Sequence, residues 1–167
     1  MNRIVHWVGM SALLFALSGC NHPPATDAPS GNAGEDAKIP KPATTADENT
    51  WGNYLAEQGK LHGKDVGMRP YIYVIPAGES IASDDRRRNE LDSIVHSIGP
   101  ILMPGGMLVL GGPDAKQTTA LIADVTKQIK ADSLKGIVVL VVSDPTEQAA
   151  VRESLKASGA SVRFVAM

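Results

Sequence analysis

Beyond residue 48 the apolar positions change period several times, and each change marks an element. Tyr71-Ile72-Tyr73-Val74-Ile75 is aromatic and β-branched and lies between Pro70 and Pro76, which predicts a strand. Leu91, Ile94, Val95 and Ile98 follow i, i+3, i+4, i+7 spacing. They predict a helix that opens on the oxygens of Ser83, Asp84 and Asp85 and stops at Gly99-Pro100. After the turn signal Pro104-Gly105-Gly106, Met107-Leu108-Val109-Leu110 predicts a second strand. Leu121, Ile122, Val125 and Ile129 give the following helix its buried stripe. The run from Ile137 to Val142 is apolar throughout, as expected of a central strand covered on both faces. Ser143-Asp144-Pro145 opens another helix, with Val151 and Leu155 inward and Gly159 at its end. Val162-Arg163-Phe164-Val165 predicts a last strand, and Arg163 within it predicts a sheet edge with one face wet.

Strand and helix thus alternate three times and close on a strand. That pattern predicts an α/β fold: a small three-layer parallel sheet of about four strands, with right-handed crossovers and helices on both faces. The expected strand order is 2-1-3-4, which sends one crossover helix to one face and two to the other. The thinner face then needs another helix. Trp51, Tyr54 and Leu55 lie at i, i+3, i+4 behind the possible caps Asn49 and Thr50, so residues 49–60 are expected to form it and pack on the sheet. The single globular domain is accordingly placed at residues 49–167.

Residues 21–48 have a different composition. They hold Pro23, Pro24, Pro29, Pro40 and Pro42 among small and polar residues, and Ile39 is their only large aliphatic side chain. Such a segment cannot bury enough apolar surface to offset its ordering entropy and reads as a tether, with a coil-like span of about 30 Å. Ahead of it, Arg3 precedes an apolar run from Trp7 to Leu17 that contains Gly9 and Ser11. This run is shorter than the roughly 20 residues of a membrane-spanning helix and fits the apolar core of a signal peptide.

The run ends in Leu17-Ser18-Gly19-Cys20. Small residues before a cysteine at this place resemble the lipobox of bacterial lipoproteins, over about residues 1–21. The resemblance implies cleavage of a 1–19 signal peptide, a thioether-linked diacylglycerol on Cys20 and an amide-linked acyl chain such as palmitate on its amino group. With Asn21 next, it implies the periplasmic face of the outer membrane rather than the inner membrane. Several acyl chains make physical sense, because one chain alone binds bilayers only marginally.

Cys20 is the only cysteine, so its acylation leaves no thiol for a disulfide, for redox chemistry or for a metal. Only Arg3 among the charged residues precedes it, so the chain from Cys20 onward carries 15 basic against 18 acidic residues. That balance gives no basic excess to suggest nucleic acid or an anionic bilayer as a partner.

Open parallel sheets bind ligands beyond the carboxyl ends of their strands, where strand order reverses. The expected order brings the loops 76–85, 111–116 and 143–147 to that place, with Gly111, Gly112, Asp114, Lys116 and Asp144 as the candidate ligand crevice. Each also has a simpler structural reading. Gly111 and Gly112 shape a strand-to-helix turn, and Asp114 and Asp144 cap helices. The stretch from Gly111 to Thr118 lacks the second glycine and the Lys-Thr adjacency of a phosphate loop, and no Gly-x-Gly-x-x-Gly follows a strand. No nucleotide cofactor is therefore expected.

Arg86, Arg87 and Arg88 beside Asp84 and Asp85 would hold an anion, but Arg86 and Glu90, like Arg88 and Asp92, are spaced as solvated i, i+4 pairs. His62 and His96 have no partner at metal-ligand spacing, and no serine sits in a nucleophile elbow. These observations favour a membrane-anchored envelope lipoprotein whose domain is non-catalytic and binds an envelope protein or serves in assembly. The competing expectation is a small-ligand or hydrolytic domain that uses the strand-end crevice.

Overall fold

The computed structural model describes residues 39–167; the signal segment, Cys20 and the tether up to residue 38 lie outside the described residues. Helix α1 spans Glu48–His62, strand β1 Tyr71–Val74, helix α2 Ile81–Ser97, strand β2 Met107–Gly111 and helix α3 Ala115–Gln128. Strand β3 follows at Val138–Ser143, helix α4 at Gln148–Leu155 between two short 3-10 turns, and strand β4 at Ser161–Ala166. The elements are the expected ones, in the expected order. Their starts differ where a better cap lay upstream. Asp47 rather than Asn49 or Thr50 caps α1, its Oδ1 accepting from Thr50 N at 2.7 Å. Ser80 rather than Ser83 caps α2, its Oγ accepting from Ser83 N at 3.1 Å.

All four strands are parallel, and their order is β1-β2-β3-β4. The α/β sheet with helices on both faces stands, whereas the expected order 2-1-3-4 does not. In the observed order every crossover runs the same way across the sheet, so right-handed connections place α2, α3 and α4 on one face together. There Ile94, Leu121, Ile122, Val125, Val151 and Leu155 close over Leu108, Leu110, Val139 and Val141. The other face is left to α1 alone. Trp51, Tyr54 and Leu55 cover Met107, Val109, Leu140 and Val142, as the spacing of those three residues predicts.

Burial explains the order. All five residues of β2 are buried, as are five of six in β3, whereas the four of β1 are only half-buried. A four-residue strand bearing Tyr71 and Tyr73 fits an edge, where one tyrosine hydroxyl reaches solvent and meets Ser93 Oγ at 3.4 Å. Strand β4 forms the other edge, as Arg163 predicts. Its guanidinium faces the α1 layer and forks onto Asp65, Nη1 to Oδ1 at 2.7 Å and Nη2 to Oδ2 at 2.6 Å.

Residues 39–47, assigned to the tether by composition, lie against the domain. Ile39 and Ala46 pack on the α1 layer, and Trp51 Nε1 donates to the Ala43 carbonyl at 3.2 Å. No described helix is long and apolar enough to cross a membrane.

Candidate functional site

The observed order never reverses, so the sheet has no switch point and the premise of a crevice between diverging crossovers falls away. Gly111, Gly112, Asp114, Lys116 and Asp144 do gather at the carboxyl ends of the neighbouring strands β2 and β3. Four of them are engaged in the fold itself. A Cβ on Gly111 would stand 2.8 Å from the Val142 carbonyl oxygen, and one on Gly112 would drive into the Ile75 carbonyl. Both glycines are therefore required by backbone packing.

Asp114 caps α3 through Gln117 N at 3.0 Å, while its carbonyl accepts from the Thr118 hydroxyl at 2.9 Å. Asp144 caps the turn Pro145–Glu147, accepting from the Thr146 hydroxyl at 2.6 Å and from its amide at 2.9 Å. Those two bonds from Thr146 hold the Asp144 carboxyl below the usual carboxylate range, and the positive charge of Lys41 adds to the effect. A carboxylate kept ionised in this way serves as a cap and is poorly suited to general acid work. Lys116 is exposed and makes no ion pair among the described residues.

The triple arginine is also built into the structure, in a way its spacing did not foretell. Arg87 reaches back to donate from Nη1 to the carbonyls of Pro76 at 2.9 Å and Gly78 at 2.8 Å, and its other arm pairs with Asp84. It bolts the β1–α2 loop to the helix that follows. Arg86 crosses to Glu48 of α1 instead of pairing with Glu90, and Arg88 lies 3.8 Å from Asp85. Glu90 is left without its i, i+4 partner. Burial, reinforced by the negative charge of Glu48, pushes its carboxyl up.

Among the described residues two shallow grooves stand out, and neither is lined by the five crevice residues. One, of about 230 Å³, lies between α2 and α3; Leu91, Ala120 and Leu121 form its apolar lining, and Asp84, Arg88 and Asp124 its charged one. The other, of about 190 Å³, lies between residues 44–51 and the end of β1, with Arg86 and Pro113 beside it. Both fall below the roughly 300 Å³ at which small-molecule pockets usually begin.

His62 and His96 stand far apart in the fold, at the ends of α1 and α2, and among the described residues no three metal-ligating side chains converge. Sequence reasoning missed the Arg87 bolt and the Arg163–Asp65 fork. The second had a signal: an arginine inside a β-strand needs a carboxylate on the face it shares. Compared with known proteins, the chain matches no protein-family model, no curated protein and no solved structure.

Proposed function

We propose that this chain is a lipid-anchored envelope protein whose α/β domain works by docking a protein partner. The anchor rests on Leu17-Ser18-Gly19-Cys20 and on the proline-rich stretch behind it. The observation that carries the docking reading is the α2–α3 groove. It is too small for a cofactor, its floor is apolar, and Asp84 and Asp124 on its rim are already neutralised by Arg87 and Lys127. Such a groove suits one or two inserted side chains, the usual size of an interface hot spot.

Photocrosslinkers at Arg88 and Ala120 in the full chain, expressed in bacterial envelopes, test the reading against a control at Glu153. A discrete adduct from the groove positions, absent from the control, is expected, and identical patterns at all three positions would overturn it. Mass spectrometry of the mature N-terminus tests the anchor, with diacylglycerol on Cys20 as the expected result and an unmodified Cys20 as the contrary one.

A second reading, a small-ligand or hydrolytic domain, has one observation in its favour. Ser143 Oγ, next to Asp144 at the end of β3, is buried without a hydrogen-bond partner among the described residues. A thermal-shift screen against nucleotides, sugars and cell-wall fragments separates the readings, since a ligand at 100 times its Kd adds about 2.7 kcal/mol of stability.

A further inference from the structure

The chain's formal charge of −2 hides a strong asymmetry between the two ends of the sheet. Every helix-to-strand connection of a parallel sheet emerges at the amino-terminal edge of the strands. There the exposed, unpaired cations are Lys64 and Arg69 ahead of β1 and Lys130 and Lys135 ahead of β3. Of the exposed acids in the same connectors, Asp65 pairs with Arg163 and Asp132 stands between the two lysines in sequence. None of the four cations forms an ion pair among the described residues. At the opposite edge stand Glu48, Glu79, Asp84, Asp85, Asp114 and Asp144, at or near the starts of helices, with Arg86, Arg87, Arg88 and Lys116 among them; Glu48, Asp84 and Asp85 pair with the three arginines.

Acids at helix starts are ordinary partners of the helix dipole. The same account does not cover Lys64, Arg69 and Lys135, which lie beyond the last helical turns. Nor does it cover the α2–β2 turn at the same end of the sheet. Between α2 and β2 the chain tucks Leu102 inward, with its amide donating to the Ser97 carbonyl at 2.8 Å, and turns the residues on either side of it outward. Ile101 is 49% exposed and Met103 48%. The turn is held firmly, since Gly105 N donates to the Gly136 carbonyl at 2.7 Å and Gly106 N to the Met103 carbonyl at 2.9 Å. The bond from Gly105 to Gly136 brings Lys135 next to this turn, while Arg69 lies just ahead of β1, whose first residue pairs with Leu108.

We propose that this edge is a membrane-contact face, in which Ile101 and Met103 enter the headgroup region of an anionic bilayer while Arg69, Lys135, Lys64 and Lys130 bind its phosphates. Two projecting side chains are far too little for a protein interface, which buries roughly 800 Å² on each partner. A bilayer asks for less. Each basic residue near an anionic leaflet contributes about a fivefold gain in binding, and a chain already fixed to the membrane needs only a weak second contact to lie down on it. The opposite edge, where acids and arginines are mostly paired with one another, is drawn less to the same surface, and that difference sets the orientation. The 18 residues from 21 to 38 could extend to about 60 Å, enough to pass a domain whose 17-residue helix α2 measures about 25 Å.

The inference uses the lipid-anchor reading only to bring a bilayer near. Its test measures the face directly. The full chain is incorporated into vesicles of phosphatidylcholine alone or of phosphatidylcholine with phosphatidylglycerol, and hydrogen exchange is followed over residues 64–69 and 99–105. Anionic vesicles are expected to slow exchange in both segments severalfold, with high salt or the double variant R69Q/K135Q reversing it. In the soluble chain with Cys20→Ser, the same double variant should weaken binding to anionic vesicles about thirtyfold. Equal exchange on both vesicle types would overturn the proposal, as would protection on cell-wall sacculi but not on anionic vesicles. A chain that fails to enter vesicles yet binds anionic ones from solution would refute the anchor and keep the face.

Discussion

At the residue scale, the polar groups that matter most to the fold are those tied to a distant partner. Asp65 and Arg163 are 98 positions apart and meet as a two-pronged ion pair that closes the α1 layer over the edge strand. The bonds from Arg163 bring the Asp65 carboxyl from its ordinary 3.8 down to about 2. A carboxyl whose pKa is depressed on folding contributes stability that is fully present above its unfolded value and is lost as pH falls through the folded one. The variant Asp65→Asn should therefore have a lower Tm than the parent at neutral pH. The gap should narrow as pH falls from about 4 through 2, and a gap undiminished at pH 2 would remove the ion pair as its cause. Because Asp65 is exposed, salt should narrow the gap as well.

Ser143 presents the opposite case, a hydroxyl desolvated by folding with no bond in return among the described residues. Replacing it with alanine removes that burden, so Ser143→Ala should leave urea stability unchanged or raise it by up to about 1 kcal/mol. A clear loss would mean that the hydroxyl has a partner after all, and would strengthen the ligand reading.

At the element scale, α1 carries a whole face of the sheet. Trp51 is 1% exposed, meets Tyr54 edge-on with ring centroids 5.9 Å apart, and ties the helix to residue 43 through its indole N–H. Among the described residues no second helix stands behind it on that side. Truncation by Trp51→Ala should cost about 3–5 kcal/mol in denaturant unfolding, at the level of other buried aromatics. Amides of α1 should exchange earlier than those of β2 and β3 in the same variant. A loss below about 1 kcal/mol would show that the α1 layer is dispensable.

The elements themselves were legible because their periods are local. The stripes of α2 and α3, the continuous run of β3 and the Trp51-Tyr54-Leu55 spacing of α1 each report burial directly. Strand β2 carried the same signal as β3, an uninterrupted apolar run that marks an interior strand, but the expected strand order overrode it. The order 2-1-3-4 would have put that run at an edge and the two tyrosines of β1 at the centre. The cap positions were less legible, since Asp47 and Ser80 compete with Thr50, Ser83 and Asp84 nearby, and the choice depends on where each helix meets the sheet.

At the scale of the whole molecule, the sequence by itself determined the α/β class, the parallel sheet, the interior place of β3, the edge at β4 and, through the Trp51-Tyr54-Leu55 spacing, a helix before the first strand. These follow from hydrophobic period and connection length, which are properties of short stretches of chain. Only the tertiary structure decided the strand order, and with it the loss of a switch point. It alone decided that Arg87 would bolt a loop and that Arg163 would find Asp65. It also set Lys64, Arg69, Lys130 and Lys135 at the same end of the sheet as Ile101 and Met103. Those groupings join residues tens of positions apart, and in one dimension the cations disappear into a chain whose overall charge is close to neutral. Charge and exposure act through distance in space, and that distance is fixed when the strands take their places side by side.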